Sequence, residues 1–136
     1  MSTIRSILLV DDNRATNFLH VRTLRKSGLV ENVHTAHNGQ EALEYLTTEV
    51  NGSYPRPDLI FLDINMPTMN GWEFLSAYRR LPLEQRGNIV VVMLTTSLNP
   101  DDMQRARSIE EVNEYAQKPL TPETLMEIVG KYFARA

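Results

Sequence analysis

Apolar residues in this chain follow two rhythms: short unbroken runs, and stretches where they recur every three or four positions. Ile7-Leu8-Leu9-Val10, Leu59-Ile60-Phe61-Leu62 and the run from Ile89 to Leu94 are of the first kind. A strand covered on both faces of a parallel sheet reads this way. Two weaker segments, Asn32 to Ala36 and Val112 to Gln117, bring the expected strands to five. Between them the second rhythm predicts helices. One runs from Arg14 to Ser27 and is closed by Gly28; its apolar residues Ala15, Phe18, Leu19, Val21 and Leu24 cover a wide arc. A second spans Gln40 to Thr48, with Ala42, Leu43 and Leu46 inward. A third follows Gly71 and carries Phe74, Leu75, Tyr78 and Leu81. A short polar helix covers Asp101 to Ile109. The last begins at Thr121-Pro122, an N-cap followed by proline at the first helical position, and carries the cleanest stripe: Leu125, Ile128, Val129, Tyr132 and Phe133. Glu49 to Pro57 and Pro82 to Asn88 read as loops.

Strands alternating with helices imply parallel pairing through right-handed crossovers. The expected fold is therefore α/β: a doubly wound five-stranded parallel sheet flanked by five helices, one domain over residues 1–136, with no output domain after Phe133. In such sheets ligands bind at the carboxyl ends of the strands. Composition narrows the picture a little. The chain has 136 residues and is 42% apolar, with no cysteine and a formal net charge of −3. Disulfides and thiolate metal sites are excluded. The charge argues against nucleic acid as a direct partner. No window is apolar enough for a bilayer and no leader pattern opens the chain, so a cytoplasmic domain without membrane contact is expected.

Candidate chemistry lies where strands end. Asp11 and Asp12 follow the first strand, Asp63 closes the third, Thr95, Thr96 and Ser97 follow the fourth, and Lys118-Pro119 follows the fifth. Taken singly, each has a plain structural role: an acidic pair before a helix caps it, and a Thr-Thr-Ser run makes a turn. Their joint placement at four strand ends is what points to one pocket. Three carboxylates there repel one another, and a hard divalent cation relieves that cost; Mg2+ suits the site because it needs few carboxylates and keeps several waters. An ionised Asp63 can attack phosphorus, with a lysine ammonium and a hydroxyl balancing charge on the transferred oxygens. His20, His34 and His37 lack metal-ligand spacing and are expected to pack or face solvent. The methionines read as core and loop filler.

Three segments carry a family resemblance. They are Leu62-Asp63-Ile64-Asn65-Met66-Pro67-Thr68-Met69-Asn70-Gly71, Leu8-Leu9-Val10-Asp11-Asp12-Asn13, and Tyr115-Ala116-Gln117-Lys118-Pro119-Leu120-Thr121. Together they resemble the receiver domain of response regulators in two-component signalling, with the likeness running from about Ile7 to Phe133. That resemblance implies a flavodoxin-like strand order of 2-1-3-4-5. It makes Asp63 the phosphorylated aspartate, Asp12 a direct Mg2+ ligand, Asp11 a ligand mainly through water, and Asn65 a ligand through its backbone carbonyl. Lys118 would pair with phosphoryl oxygens. Thr95 would be the switch hydroxyl, with Thr96 its competitor because its spacing to Lys118 fits slightly better. Tyr115 would be the switch aromatic, turning inward in the active form. Asn65 and Ser97 would tune the lifetime of the phosphorylated state.

The implied partners are a sensor histidine kinase or histidine phosphotransfer protein as donor and a downstream protein target. The fourth expected helix, last strand and last helix often form the output surface in the family. A monomer or weak dimer is expected, acting as a contact switch, a phosphorelay intermediate or a phosphate sink. Catalysis would be limited to the domain's own phosphorylation and dephosphorylation. A metal-dependent hydrolase with a carboxylate nucleophile is the competing class, but Asn65, two residues past Asp63, cannot transfer a proton. A nucleotide switch lacks its glycine-rich phosphate loop. The family pattern is departed from at Ala116-Gln117, at Leu120 and in the long Glu49–Pro57 loop.

Overall fold

In the computed structural model, which describes residues 4–86, 90–96 and 99–133, five strands form one parallel sheet. They are β1 (Ile4–Val10), β2 (Val30–Ala36), β3 (Leu59–Asp63), β4 (Val90–Thr95) and β5 (Val112–Gln117), in the order β2-β1-β3-β4-β5. The expected start of the fourth strand, Ile89, and the expected lifetime residue Ser97 lie outside the described residues. The helices are α1 (Arg14–Ser27), α2 (Gly39–Leu46), α3 (Gly71–Tyr78), α4 (Leu83–Arg86), α5 (Pro100–Arg107) and α6 (Pro122–Tyr132). Among the described residues there are six helices where five were expected. The extra one, α4, is a single turn inside the segment read as loop: Gln85 donates its N–H to the Pro82 carbonyl, and a lone turn leaves no period for sequence to show.

Alternation along the strands divides the core in two. Leu8, Val10, Ile60, Leu62, Val91 and Met93 face one side and pack against α2, α3 and Ala106 of α5. Ile7, Leu9, Leu59, Phe61, Val92 and Leu94 face the other and pack against Leu24 of α1 and Leu125, Ile128 and Val129 of α6. All of β3 is buried, as its unbroken apolar run requires. β2 and β5 are the edges, which is why they were the weak strands in sequence.

Helix ends follow from side-chain chemistry. Asn13, Asn38, Asn70, Asn99 and Thr121 each accept a backbone N–H from the first turn they precede. Asn70 and Glu73 complete a reciprocal capping box. Gly28 ends α1 in the left-handed region (φ 70°), as its position predicted. The long loop is partly ordered by its own turn. Asn51 and Gly52 both have positive φ, and Val50 pairs with Ser53 across them, the geometry of a two-residue hairpin of the primed type.

Candidate active site at the strand ends

The acidic pair is not consumed in capping α1. That task falls to Asn13, whose Oδ1 accepts the Thr16 N–H at 2.9 Å. Asp11 is buried and Asp12 exposed. Asp11 is also held at both oxygens: Oδ1 accepts the Asn13 N–H at 2.9 Å, and Oδ2 accepts from Lys118 Nζ at 2.8 Å. Asp63 closes the central β3 and is 6% exposed, with Oδ1 3.0 Å from the same Nζ. One oxygen from each of Asp11, Asp12 and Asp63 lies within 4.8 Å of the others. Three acceptor-only groups so close, all hard oxygen donors, form a set suited to a hard divalent cation. Asn65 sits exposed in the loop just after Asp63.

Electrostatics follow from this packing. Burial pushes the Asp63 carboxyl up from its ordinary value; the hydrogen bond from Lys118 opposes it, and the charges of Asp11 and Asp12 reinforce it. Burial alone would depress the Lys118 ammonium. The hydrogen bonds and charges of Asp11 and Asp63 together outweigh that and hold it above the ordinary lysine value. The ammonium is thus the fixed counter-ion between two buried carboxylates.

The other expected residues are distributed as follows. Thr95 ends β4 and is 5% exposed, whereas Thr96 is exposed. The Thr95 carbonyl accepts the Lys118 N–H at 2.6 Å, which ties the ends of β4 and β5 together. Lys118 is joined to Pro119 by a cis peptide bond. Tyr115 lies on β5, opposite Met93, and packs on the α5 side of the core with its hydroxyl oxygen closed off from solvent. Burial raises the phenol pKa, as does the charge of Asp102, while Thr95 and the backbone of Asn99 act against it. Tyr115 and Thr95 are therefore neighbours at the sheet edge, on the side of Asp63 away from Asp11.

Three residues around the site were given no part in it by sequence reasoning. Asn17 of α1 is buried and donates from Nδ2 to the Asp11 carbonyl at 2.9 Å. His20, one turn on, is 2% exposed and accepts the Leu120 N–H at Nε2, 3.0 Å away. With Leu24 they form the inward face of α1, while Phe18 and Leu19 are exposed. The available signal was their spacing, since 17, 20 and 24 share one helical face. Gly71 is the third, named before only as a helix boundary. A Cβ there would lie 2.6 Å from the Asp63 carbonyl oxygen and 3.0 Å from Ile64 Cα, so only glycine lets α3 begin this close to the acceptor. Of the other histidines, His34 stacks on Tyr45 and His37 contacts Glu41 at the surface. Packing and solvent-facing roles were the ones expected.

The family model described as response regulator receiver domain matches residues 7–130. A probable methanogenesis regulatory protein, FilR2 of Methanothrix harundinacea, is 38% identical over 90% of this chain and 77% of its own length. A two-component response regulator from Cytophaga hutchinsonii superposes with a TM-score of 0.86 at 32% identity, covering 95% of this chain and 96% of that one. The Mn2+-bound form of response regulator Rcp1, a protein of a Synechocystis species, superposes with a TM-score of 0.72 at 31% identity, covering 96% of each chain.

Proposed function

Because the chain belongs to the response regulator receiver domain family of two-component systems, we propose that it takes a phosphoryl group onto Asp63 and signals through the resulting change at its surface. The observation that carries this reading is the Asp63 carboxylate at the end of the central strand, 3.0 Å from the Lys118 ammonium and inside the three-carboxylate cluster. A histidine kinase or histidine phosphotransfer protein would be the donor and a downstream protein the target.

Each residue has a derivable task. Asp63 supplies the attacking oxygen, and its enclosure limits the water that competes for the phosphorus centre. Asp12, the exposed member of the cluster, and Asp63 would hold Mg2+ directly. Asp11, with both oxygens already engaged, is better placed to hold it through water, and the Asn65 carbonyl would complete the protein's share. A bound Mg2+ would supply positive charge to balance that of the transferred group. Lys118 exchanges its contact with Asp63 for those same oxygens, its charge assured by the raised pKa. Thr95, buried at the end of β4, rather than exposed Thr96, would supply the hydroxyl donor. Its movement would be felt by Tyr115, whose side chain lies between that strand end and α5. The α5–β5–α6 surface is accordingly where the change is read.

Intact-protein mass after incubation with acetyl phosphate tests this. The native chain should gain one phosphoryl group in the presence of Mg2+, and neither Asp63→Asn nor a sample with chelator should gain it. Labelling of Asp63→Asn, or no labelling of folded native protein with ample Mg2+, would reject phosphorylation at this position.

A further inference from the structure

Helix α1 places two buried polar side chains, Asn17 and His20, on a face otherwise made for apolar packing. The hydrogen bond made by each is with main chain and not with a carboxylate of the site. Each instead holds the main chain next to one member of the pair whose spacing sets the charge balance. Asn17 bonds the Asp11 carbonyl, and His20 bonds the N–H of Leu120, two residues past Lys118. His20 and Leu120 lie a hundred residues apart, so nothing local orders that second contact. The geometry points to His20 as a positioning residue for phosphoryl transfer: its Nε2, by accepting the Leu120 N–H, fixes the Lys118–Leu120 segment so that the Lys118 ammonium stands where phosphoryl oxygens arrive. This inference rests on the reading that Asp63 is phosphorylated.

Several observations support it. Packing alone would be met by leucine or valine, since the neighbours on that side of the sheet include Leu24, Leu120 and Leu125. An imidazole buried there is justified only by a hydrogen bond. The ring must be neutral to accept at Nε2. Burial lowers its pKa and Lys118 acts the same way, with only Asp11 opposing, so the acceptor form is the one favoured. The Lys118 segment is otherwise pinned by its own N–H to the Thr95 carbonyl. The His20 contact supplies a second anchor, two residues further on. A long flexible side chain needs both anchors if its ammonium is to be placed within a fraction of an ångström, which is the tolerance positioning demands.

The test compares the native chain with His20→Leu, which fills the space without an acceptor, and His20→Gln, which restores an acceptor oxygen. His20→Met serves as a second apolar variant should His20→Leu fold poorly. Phosphorylation by saturating acetyl phosphate is followed by mass at a temperature where each protein is folded by circular dichroism, and Mg2+ affinity is measured separately by calorimetry. The expected result is a rate constant roughly tenfold lower in the apolar variants, a return to within about twofold of native in His20→Gln, and unchanged Mg2+ affinity in all. A purely structural role would lower the melting temperature and leave the rate of folded protein intact; that result overturns the inference. So does an equal loss in His20→Gln, or a parallel loss of Mg2+ affinity, which would indicate general distortion of the pocket. Native protein that takes no phosphoryl group would instead defeat the reading of Asp63, and the inference with it.

Discussion

At the Lys118 ammonium two buried carboxylates compete for one cation, 2.8 Å and 3.0 Å away. A buried charge set of this kind is strongly destabilised by losing one member, so the spacing of its neighbours is tightly constrained. Gly71 is one such constraint. In Gly71→Ala the new methyl group would meet the Asp63 carbonyl oxygen at 2.6 Å, against backbone that cannot yield cheaply. The expected outcome is a loss of about 1–3 kcal/mol in urea unfolding with a reduced phosphorylation rate; unchanged values of both would show that α3 can shift freely. His20 gives a pH dependence with a definite sign. Its folded pKa lies below the ordinary 6.5, so as pH falls the unfolded chain takes the proton first. The stability this histidine contributes is complete above 6.5 and is lost as pH falls from there through the folded value. His34, also lowered by burial, acts with the same sign. Between about pH 7.5 and about pH 5.5, His20→Gln should therefore lose less stability than the native chain. An identical slope in both proteins would show that His20 does not titrate across folding.

At the scale of single elements, α1 shows where pattern reading succeeds and where it does not. Its ends were legible: Gly28 is the left-handed C-cap and the polar Asp-Asp-Asn run supplies the N-cap. Its face was not, because two of the three inward positions are polar and two of the bulkiest apolar residues point outward, Phe18 at 67% exposure and Leu19 at 52%. Hydrophobicity is a guide to burial only where no buried polar group has a dedicated partner, and here Asn17 and His20 each have one. Truncation should expose the difference. Leu24→Ala, at a fully buried site, is expected to cost about 2–5 kcal/mol, while Phe18→Ala and Leu19→Ala should each stay within about 0.5 kcal/mol. Comparable losses at all three would mean that α1 packs through the whole arc of its apolar residues. In α6, by contrast, Leu125, Ile128 and Val129 are buried as their stripe required, since no polar residue interrupts that face.

For the whole molecule, the strand order decides function. Because β1 and β3 are adjacent and central, Asp11, Asp12 and Asp63 converge at one end of the sheet, and β5 returns Lys118 to them across β4. Such an acidic cluster should be linked to global stability through cation binding. Mg2+ at about 100 times its dissociation constant should stabilise the native fold by about 2.7 kcal/mol, read as a rise in melting temperature that is much smaller in Asp12→Asn. An equal rise in both would remove Asp12 from the ligand set. The order of the strands and of the longer helices along the chain, the buried character of the central strands and the identity of the strand-end residues follow from sequence alone, because periodicity and burial are local properties of a parallel sheet; the single turn of α4 does not. What only the tertiary structure decided is which strand-end groups meet. It engages Lys118 with Asp11 and Asp63, buries Thr95 while exposing Thr96, and turns Asn17 and His20 inward against main chain that lies, for His20, a hundred residues away. Those choices depend on contacts between distant segments, which no local pattern records.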